Sequence, residues 1–417
     1  MKLQTLLSAA LAVVLMHPIN ASDASQISES RIIESNFQNL EIQEFDFTKI
    51  GKPLVLAASQ SKIYASARNS SEIHMLRFEN GRLVDEKKLL LPKLQIENQF
   101  SKKYILDLKY YKEKLFVSIM SYNENINVCD RMLVLEFEVS ENNLTFSRVL
   151  FTSTPCISQP EDPGWTDAAG RLETDGEFLY ISGGMILNDL YLNYYPHPRV
   201  KILPFQPPTF LEAEKSTNIF GAIAKVNLKT LSVDKFAKGL RGPQGLLWDS
   251  LRKVLWETEH GPRGGDELNT IERKKDYGWP FVTLGRPYAQ RNLAGDNYFS
   301  TIYGDHPKYT PPIFSWTPSI GVSQLVLIPQ NSNFDKNLQG NLLVSSLKDQ
   351  SLYSLKIGSI TGSRSLRILY SERISIGHRI RDMEILNGKI LLSTDSGMII
   401  LLNGGSGDLK GAFPTVN

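Results

Sequence analysis

Cysteine is nearly absent from this chain. Its 417 residues include two, Cys129 and Cys156. That excludes a disulfide-dense scaffold, and it excludes a multi-cysteine metal or cluster site. Net charge is also nearly absent, at +2, and no basic block carries interleaved aromatics. A nucleic-acid partner and a polybasic membrane anchor are therefore not expected. Long hydrophobic runs are missing too. The longest, over 6–16, falls short of the roughly 20 apolar residues that span a bilayer, so no membrane span is expected. Catalytic signatures of other classes are missing as well. There is no G-x-S-x-G elbow, no H-E-x-x-H and no phosphate-cradling loop, and the late GGSGD is a Gly/Ser tail.

The short apolar run has a different reading. Lys2 precedes it, Pro18 breaks it, and Asn20-Ala21-Ser22 offers small residues for cleavage. Residues 1–21 are expected to be a signal peptide cut near Ala21. The mature chain is then soluble and exported, to the periplasm or the extracellular space. No cysteine follows the run, so lipid attachment is not expected there. In an exported chain, Cys129 and Cys156 point to a disulfide more than to a metal site, because no histidine lies near them at ligand spacing. Such a bridge adds about 3 kcal/mol.

Helical periodicity is scarce, and short alternating strands split by Gly, Asn, Asp and Ser dominate. One unit recurs: an apolar strand, a polar turn, a second strand ending in Ser, Thr or Gly, and often a third strand. It begins at Pro53, Ile105, Gly170, Gly242, Val322 and Ile380. In the fourth unit DELNTI reads as the outer strand. Six such repeats, about 50–80 residues apart, predict an all-β, six-bladed β-propeller, because each blade must bury its faces against its neighbours. The expected organisation is a lead-in segment over 22–50, the propeller over 51–403 and a C-terminal tail over 404–417. The inserts near 185–220 and 286–312 are rich in Pro, Tyr and Asn and read as loops on one face.

The densest chemical signal lies over 239–288. Glu259, Asp266 and Glu267 cluster around a turn containing Gly261, Pro262, Gly264 and Gly265. Hard oxygen ligands on a tight turn suit Ca²⁺, although the spacing is not that of an EF-hand. On these residues alone, a solvated acidic turn is the favoured reading.

The same stretch holds RGPQGL at 241–246, EHGPRGGDELN at 259–269 and DYGWP at 276–280. These resemble the hallmark of the soluble PQQ-dependent aldose (glucose/sorbosone) dehydrogenases, and the resemblance extends more weakly over about 95–400. The resemblance implies a six-bladed propeller. It also implies a PQQ- and Ca²⁺-dependent oxidoreductase that oxidises an aldose or related hydroxylated compound and passes electrons to an external acceptor. It assigns a first Ca²⁺ to the carbonyls of Gly261 and Pro262, and a further Ca²⁺ site to Glu267 and Tyr277. Arg241 and Gln244 fall on the cofactor and substrate side. SLKDQSL assigns Lys348 to a PQQ carboxylate, and HRIRD assigns Arg379 and Arg381 to the anionic clamp. Charge-assisted and bidentate hydrogen bonds suit a tricarboxylate. Trp316, in a W-x-P-S element, matches a position near the pocket, whereas Trp248 and Trp256 read as core.

The match breaks at the general base. The family's histidine falls on Asp167 here. An ordinary Asp, with a pKa of about 3.9, is a weaker base than His near neutral pH. Asp167 is therefore either the substitute catalytic base or the mark of a propeller that lost catalysis and binds a glycan or partner protein. Gly242 replaces a family Asn, and Lys102 falls on a family Gln. None of the six histidines replaces the missing base convincingly; His378, which precedes the clamp, is the candidate beside the pocket, and a role outside it is the favoured reading. Monomer and homodimer both stay open.

Overall fold

The computed structural model describes residues 24–25, 27–91, 102–122, 131–140, 143–154, 168–184, 219–279, 282–285, 302–303, 308–359 and 365–405. Asp167, Cys129 and Cys156 lie outside this set, as do most of both inserts and the side chain of Lys102.

Every regular element among the described residues is a strand, and all but the small parallel pair Val282–Thr283 and Ile302–Tyr303 belong to six blades of a β-propeller. Blade 1 runs outward through Leu54–Ala58, Ile63–Ala67, Glu72–Glu79 and Arg82–Leu90. Blade 2 runs Lys102–Tyr111, Lys114–Tyr122, Met132–Ser140 and Asn143–Thr152. Blade 3 runs Ala169–Thr174, Phe178–Gly183, Ala222–Asn227 and Val233–Lys238. Blade 4 runs Pro243–Asp249, Val254–Glu259, Asp266–Ile271 and Phe314–Trp316. DELNTI is thus the third strand of blade 4, covered on its outer side by Phe314–Trp316. Blade 5 runs Val322–Leu327, Leu342–Ser346, Ser351–Ser359 and Leu366–Ser375.

Blade 6 is built from both ends of the chain. Ile380–Leu386, Lys389–Thr394 and Met398–Gly404 form its inner three strands. Asn39–Asp46 pairs antiparallel with Met398–Gly404, and Ile27–Glu34 pairs outside it. The lead-in residues therefore close the ring. Arg31 and His378 both reach the buried Glu44 at this seam, at 3.2 Å and 3.0 Å.

Six inner strands surround the axis, each touching the next, with blade 6 returning to blade 1. The core divides accordingly into six apolar clusters, one per blade–blade interface. Val55, Tyr64, Ile105 and Val117 fill the first, and Phe45, Leu54, Leu391 and Ile399 fill the last. Apolar side chains alternate onto both faces of each sheet because both faces pack on a neighbour.

Two recurring local features position the axial side chains. First, five inner strands carry a bulge near their start, at Ile105/Asp107, Ala169/Leu172, Pro243/Gly245, Val322/Leu325 and Ile380/Asp382. A bulge inserts an unpaired residue and re-aims its side chain. Second, one backbone hydrogen bond repeats. The residue after the second strand donates to the residue before the first: Arg68 to Pro53, Gly184 to Ala168, His260 to Gly242, Leu347 to Gly321 and Asp395 to Arg379. These pairs put equivalent positions of five repeats at the same end of the ring.

Candidate active site at one end of the axis

Bulge residues and post-strand residues meet at that end. Arg171 is the centre. It lies in the blade 3 bulge and is 1% exposed. Its Nη1 donates to Asp107 of blade 2 and to Asp382 of blade 6, each at 2.9 Å. Its Nε donates to the Gln244 carbonyl at 2.6 Å and its Nη2 to the Arg381 carbonyl at 2.8 Å. The two carboxylates also accept backbone N–H groups, Asp107 from Leu172 and Asp382 from Leu56, each at 2.8 Å. One guanidinium so links blades 2, 3, 4 and 6. A buried ion pair is favourable only when its remaining polar atoms are satisfied in this way.

Gln244 and Arg381 are themselves bulge residues. Gln244 is buried, and its carbonyl is held by Arg171. Arg381 donates twice to Asp395, at 2.8 Å and 3.1 Å, while Arg379 donates to Asp395 at 2.9 Å. Burial alone would push the Asp395 carboxyl up, but Arg381 and Arg379 outweigh it and hold the group below its ordinary value. Arg379 also reaches the Leu347 carbonyl at 3.4 Å, next to the exposed Lys348. Arg379 and Arg381 are thus brought together on Asp395, and the Lys348 backbone lies beside them at the end of blade 5. Asp395, which sequence reasoning passed over, pairs with two of the three. Its signal was positional, since it follows the second strand of the sixth repeat.

The glycine-rich turn of blade 4 faces the start of blade 5. Gly261 has no room for a side chain, because a Cβ there would lie 2.1 Å from the Gly265 carbonyl oxygen. Gly264 and Gly265 take positive φ angles of 82° and 75°. Asp266 is consumed in holding the turn. Its Oδ1 accepts from Gly261 N–H at 3.2 Å, and its Oδ2 accepts from Gly321 and Val322 at 2.7 Å and 3.1 Å. The Gly261 carbonyl accepts from Arg241 at 3.3 Å, and the Pro262 carbonyl accepts from Ser319 at 3.4 Å. Arg241 also lies over the Trp279 ring at 5.5 Å. Trp316 is buried one blade position away, edge-on to Tyr353, and Trp256 is fully buried core.

Behind this turn lies an acidic ladder. Glu257 pairs across with Asn269, and Glu259 with Glu267, so all four share one face of the hairpin. All four are buried. Asn269 donates to Glu257 at 3.1 Å, and Glu259 accepts the Arg241 N–H at 2.6 Å. Burial raises the Glu259 carboxyl to about 7, and burial together with Glu259 raises Glu257 and Glu267 strongly. Glu257 Oε1 and Asn269 Oδ1 are buried without a hydrogen-bond partner among the described residues. The donor set is chemically that of a hard cation. The side chains lie along the ladder, and among the described residues no three His, Cys, Asp or Glu side chains converge as a preformed metal cage. Tyr277 lies against this ladder, but its phenol already donates to the Thr270 carbonyl at 2.5 Å and accepts from Glu272 N–H at 3.0 Å. Only its carbonyl is left for a metal. Glu257 and Asn269 were missed in the sequence, although their i, i+2 spacing from Glu259 and Glu267 marks them as the same strand face.

His378 does not reach this end of the axis. Its Nε2 pairs with Glu44 on the strand that closes blade 6.

Comparison with known proteins agrees with this architecture. Residues 214–402 match the family model described as Glucose / Sorbosone dehydrogenase. The chain is 30% identical over 176 residues to the aldose sugar dehydrogenase YliI of Escherichia coli, a match covering 42% of this chain and 43% of that protein. In that comparison the chain spans less than half of its relative. The soluble aldose sugar dehydrogenase of Escherichia coli in the apo-form superposes with a TM-score of 0.61 at 20% identity, covering 87% of this chain and 99% of that one. The PQQ-bound aldose sugar dehydrogenase of Streptomyces coelicolor superposes with a TM-score of 0.53 at 15% identity, covering 91% and 97%. At these identities the two structures bear on the fold. The resemblance drawn from the sequence is borne out.

Proposed function

We propose, for a chain whose residues 214–402 match the Glucose / Sorbosone dehydrogenase family, that it is an exported PQQ-dependent oxidoreductase acting on an aldose or a related hydroxylated compound. The observation that carries this reading is the pair Arg379 and Arg381, held together on Asp395 at the axial end, with Arg379 also reaching the Leu347 carbonyl beside the exposed Lys348. Cationic groups so placed suit a planar polycarboxylate. When bound, PQQ supplies the two-electron acceptor for the substrate hydrogen.

The chain's own residues then have distinct tasks. Arg379, Arg381 and Lys348 bind and orient the cofactor carboxylates. Arg241 and Gln244 line the cofactor and substrate side, with Gln244 held by Arg171. The Gly261 and Pro262 carbonyls are candidate Ca²⁺ ligands, where a cation would replace the Arg241 and Ser319 donors they now accept. Glu267 and the Tyr277 carbonyl are candidates for a second cation, whose charge would compensate the buried glutamates. Asp167 is the proposed base that takes the substrate hydroxyl proton. An external acceptor must then reoxidise the cofactor.

Calorimetric titration of PQQ with Ca²⁺ present and after chelation tests the reading, followed by a sugar screen on the loaded protein. Ca²⁺-dependent binding, and turnover lost in Asp167→Asn, are expected. A protein that binds neither PQQ nor Ca²⁺ overturns it. The second reading, an inactive propeller that binds a glycan or partner protein, draws on the replacement of the family histidine by Asp167. PQQ-dependent turnover of any sugar excludes it.

A further inference from the structure

Arg68 is an anomaly among the axial charges. It follows the second strand of blade 1, its N–H donates to Pro53 at 3.0 Å, and its carbonyl accepts from Ile105 of blade 2 at 2.8 Å. Its backbone is thus fixed between two inner strands. It occupies in blade 1 the position that His260 holds in blade 4, Leu347 beside Lys348 in blade 5, and Asp395 in blade 6. Those three positions flank the glycine-rich turn and the arginine clamp.

The side chain is 7% exposed, yet its Nε has no hydrogen-bond partner, and no carboxylate lies within ion-pair distance among the described residues. Its charged surroundings are Arg381, Arg171, Asp107 and Asp395. The carboxylates are committed elsewhere. Asp107 and Asp382 are held by Arg171, and Asp395 by Arg379 and Arg381. Four guanidinium groups therefore share three carboxylates, and Arg68 is the one left over. Burial, and after it Arg381 and Arg171, lower its pKa to about 9, against the opposing pull of Asp107 and Asp395. A buried, unpaired cation beside two others is costly, and structural roles do not call for one.

We infer that Arg68 is a ligand-binding residue: a further guanidinium, contributed by blade 1, that receives a carboxylate of an anionic ligand at the axial end beside Arg381. This rests on the cofactor reading above, for which the anion is a PQQ carboxylate. The shared chemistry is that of any compact polycarboxylate. Arg171 is not the residue for this role, because each of its three nitrogens already donates to blade 2, 4 or 6.

The test compares the wild-type protein with Arg68→Met and Arg68→Lys. Thermal unfolding is measured without ligand, and PQQ and citrate are titrated calorimetrically with Ca²⁺ present. The expected result is that Arg68→Met unfolds at the same or a higher temperature, because an unpaired charge has been removed. Its PQQ affinity should fall at least about tenfold, with Arg68→Lys intermediate. Unchanged PQQ affinity in Arg68→Met overturns the inference. So does a lower unfolding temperature in the ligand-free variant, which would make Arg68 a structural residue. If the wild type binds no PQQ, the cofactor reading fails by itself. Citrate then decides on Arg68: binding weakened by Arg68→Met upholds an anion site, and binding that is absent or equal in both proteins overturns it.

Discussion

Arg171 and Asp382 meet across the propeller axis at 2.9 Å, although 211 residues separate them in the chain. Both are 1% exposed. The contact joins blade 3 directly to blade 6, and the same nitrogen holds Asp107 of blade 2. It is the point at which the order of the ring is expressed in one side chain.

Replacing Arg171 with Met should therefore destabilise the fold strongly. Asp107 and Asp382 would be left as buried carboxylates without their cation, at a cost on the order of 3–5 kcal/mol. Urea unfolding of Arg171→Met against wild type measures it. A midpoint shift within error would mean that the axial pairs contribute nothing net.

Gly261→Ala should disrupt the blade 4 turn, because the added methyl would lie 2.1 Å from a backbone oxygen that cannot move aside freely. Loss of about 1–3 kcal/mol is expected from the overpacking. Ca²⁺ affinity by calorimetry should fall with it, and unaltered affinity would remove Gly261 from the proposed metal site.

The acidic ladder makes a pH prediction for protein treated with chelator. Glu259 is raised in the folded chain to about 7, and Glu257 and Glu267 are raised as well. A raised carboxyl favours folding while it is protonated. Its contribution is complete below the unfolded value near 4.5 and is lost as pH rises through about 7. Chelated protein should thus lose stability between pH 5 and pH 8, on the scale set by titration of these groups. Glu257→Gln should flatten that loss, and Ca²⁺ should abolish it in the wild type. Unfolding temperatures across this range decide the matter, and identical slopes for wild type and variant would count against it.

Removing residues before 47 should prevent stable folding. Leu40, Ile42 and Phe45, each no more than 1% exposed, are core residues of blade 6. Without Asn39–Asp46, Met398–Gly404 becomes an open edge. Circular dichroism and size-exclusion chromatography of the truncated chain should show an expanded or aggregating species. A cooperative unfolding transition like that of the full chain would contradict this.

Much of the architecture could be read along the chain because a propeller writes each blade as one local repeat. Alternation at period two marked the strands, and six returns of one unit set the number of blades. The turn over Gly261–Gly265 and the Arg379/Arg381 pair were legible because each lies within a few consecutive residues. Closure was not legible. Residues 27–46 read as a lead-in segment, and only pairing with Met398–Gly404 shows them to be the outer strands of blade 6. His378 stood beside the clamp in sequence, but it lies in the bend before Ile380–Leu386 and its ring pairs with Glu44 at the seam.

What the sequence determined by itself was whatever short-range pattern can carry: strand faces, turn glycines and the repeat. What tertiary structure decided was which residues of the separate repeats meet at the axis. Arg68, Asp107, Arg171, Asp382 and Asp395 come from four blades, and no spacing relates them. Ring closure brings them together, and the low dielectric there makes their pairing, and the surplus of one guanidinium, matter energetically.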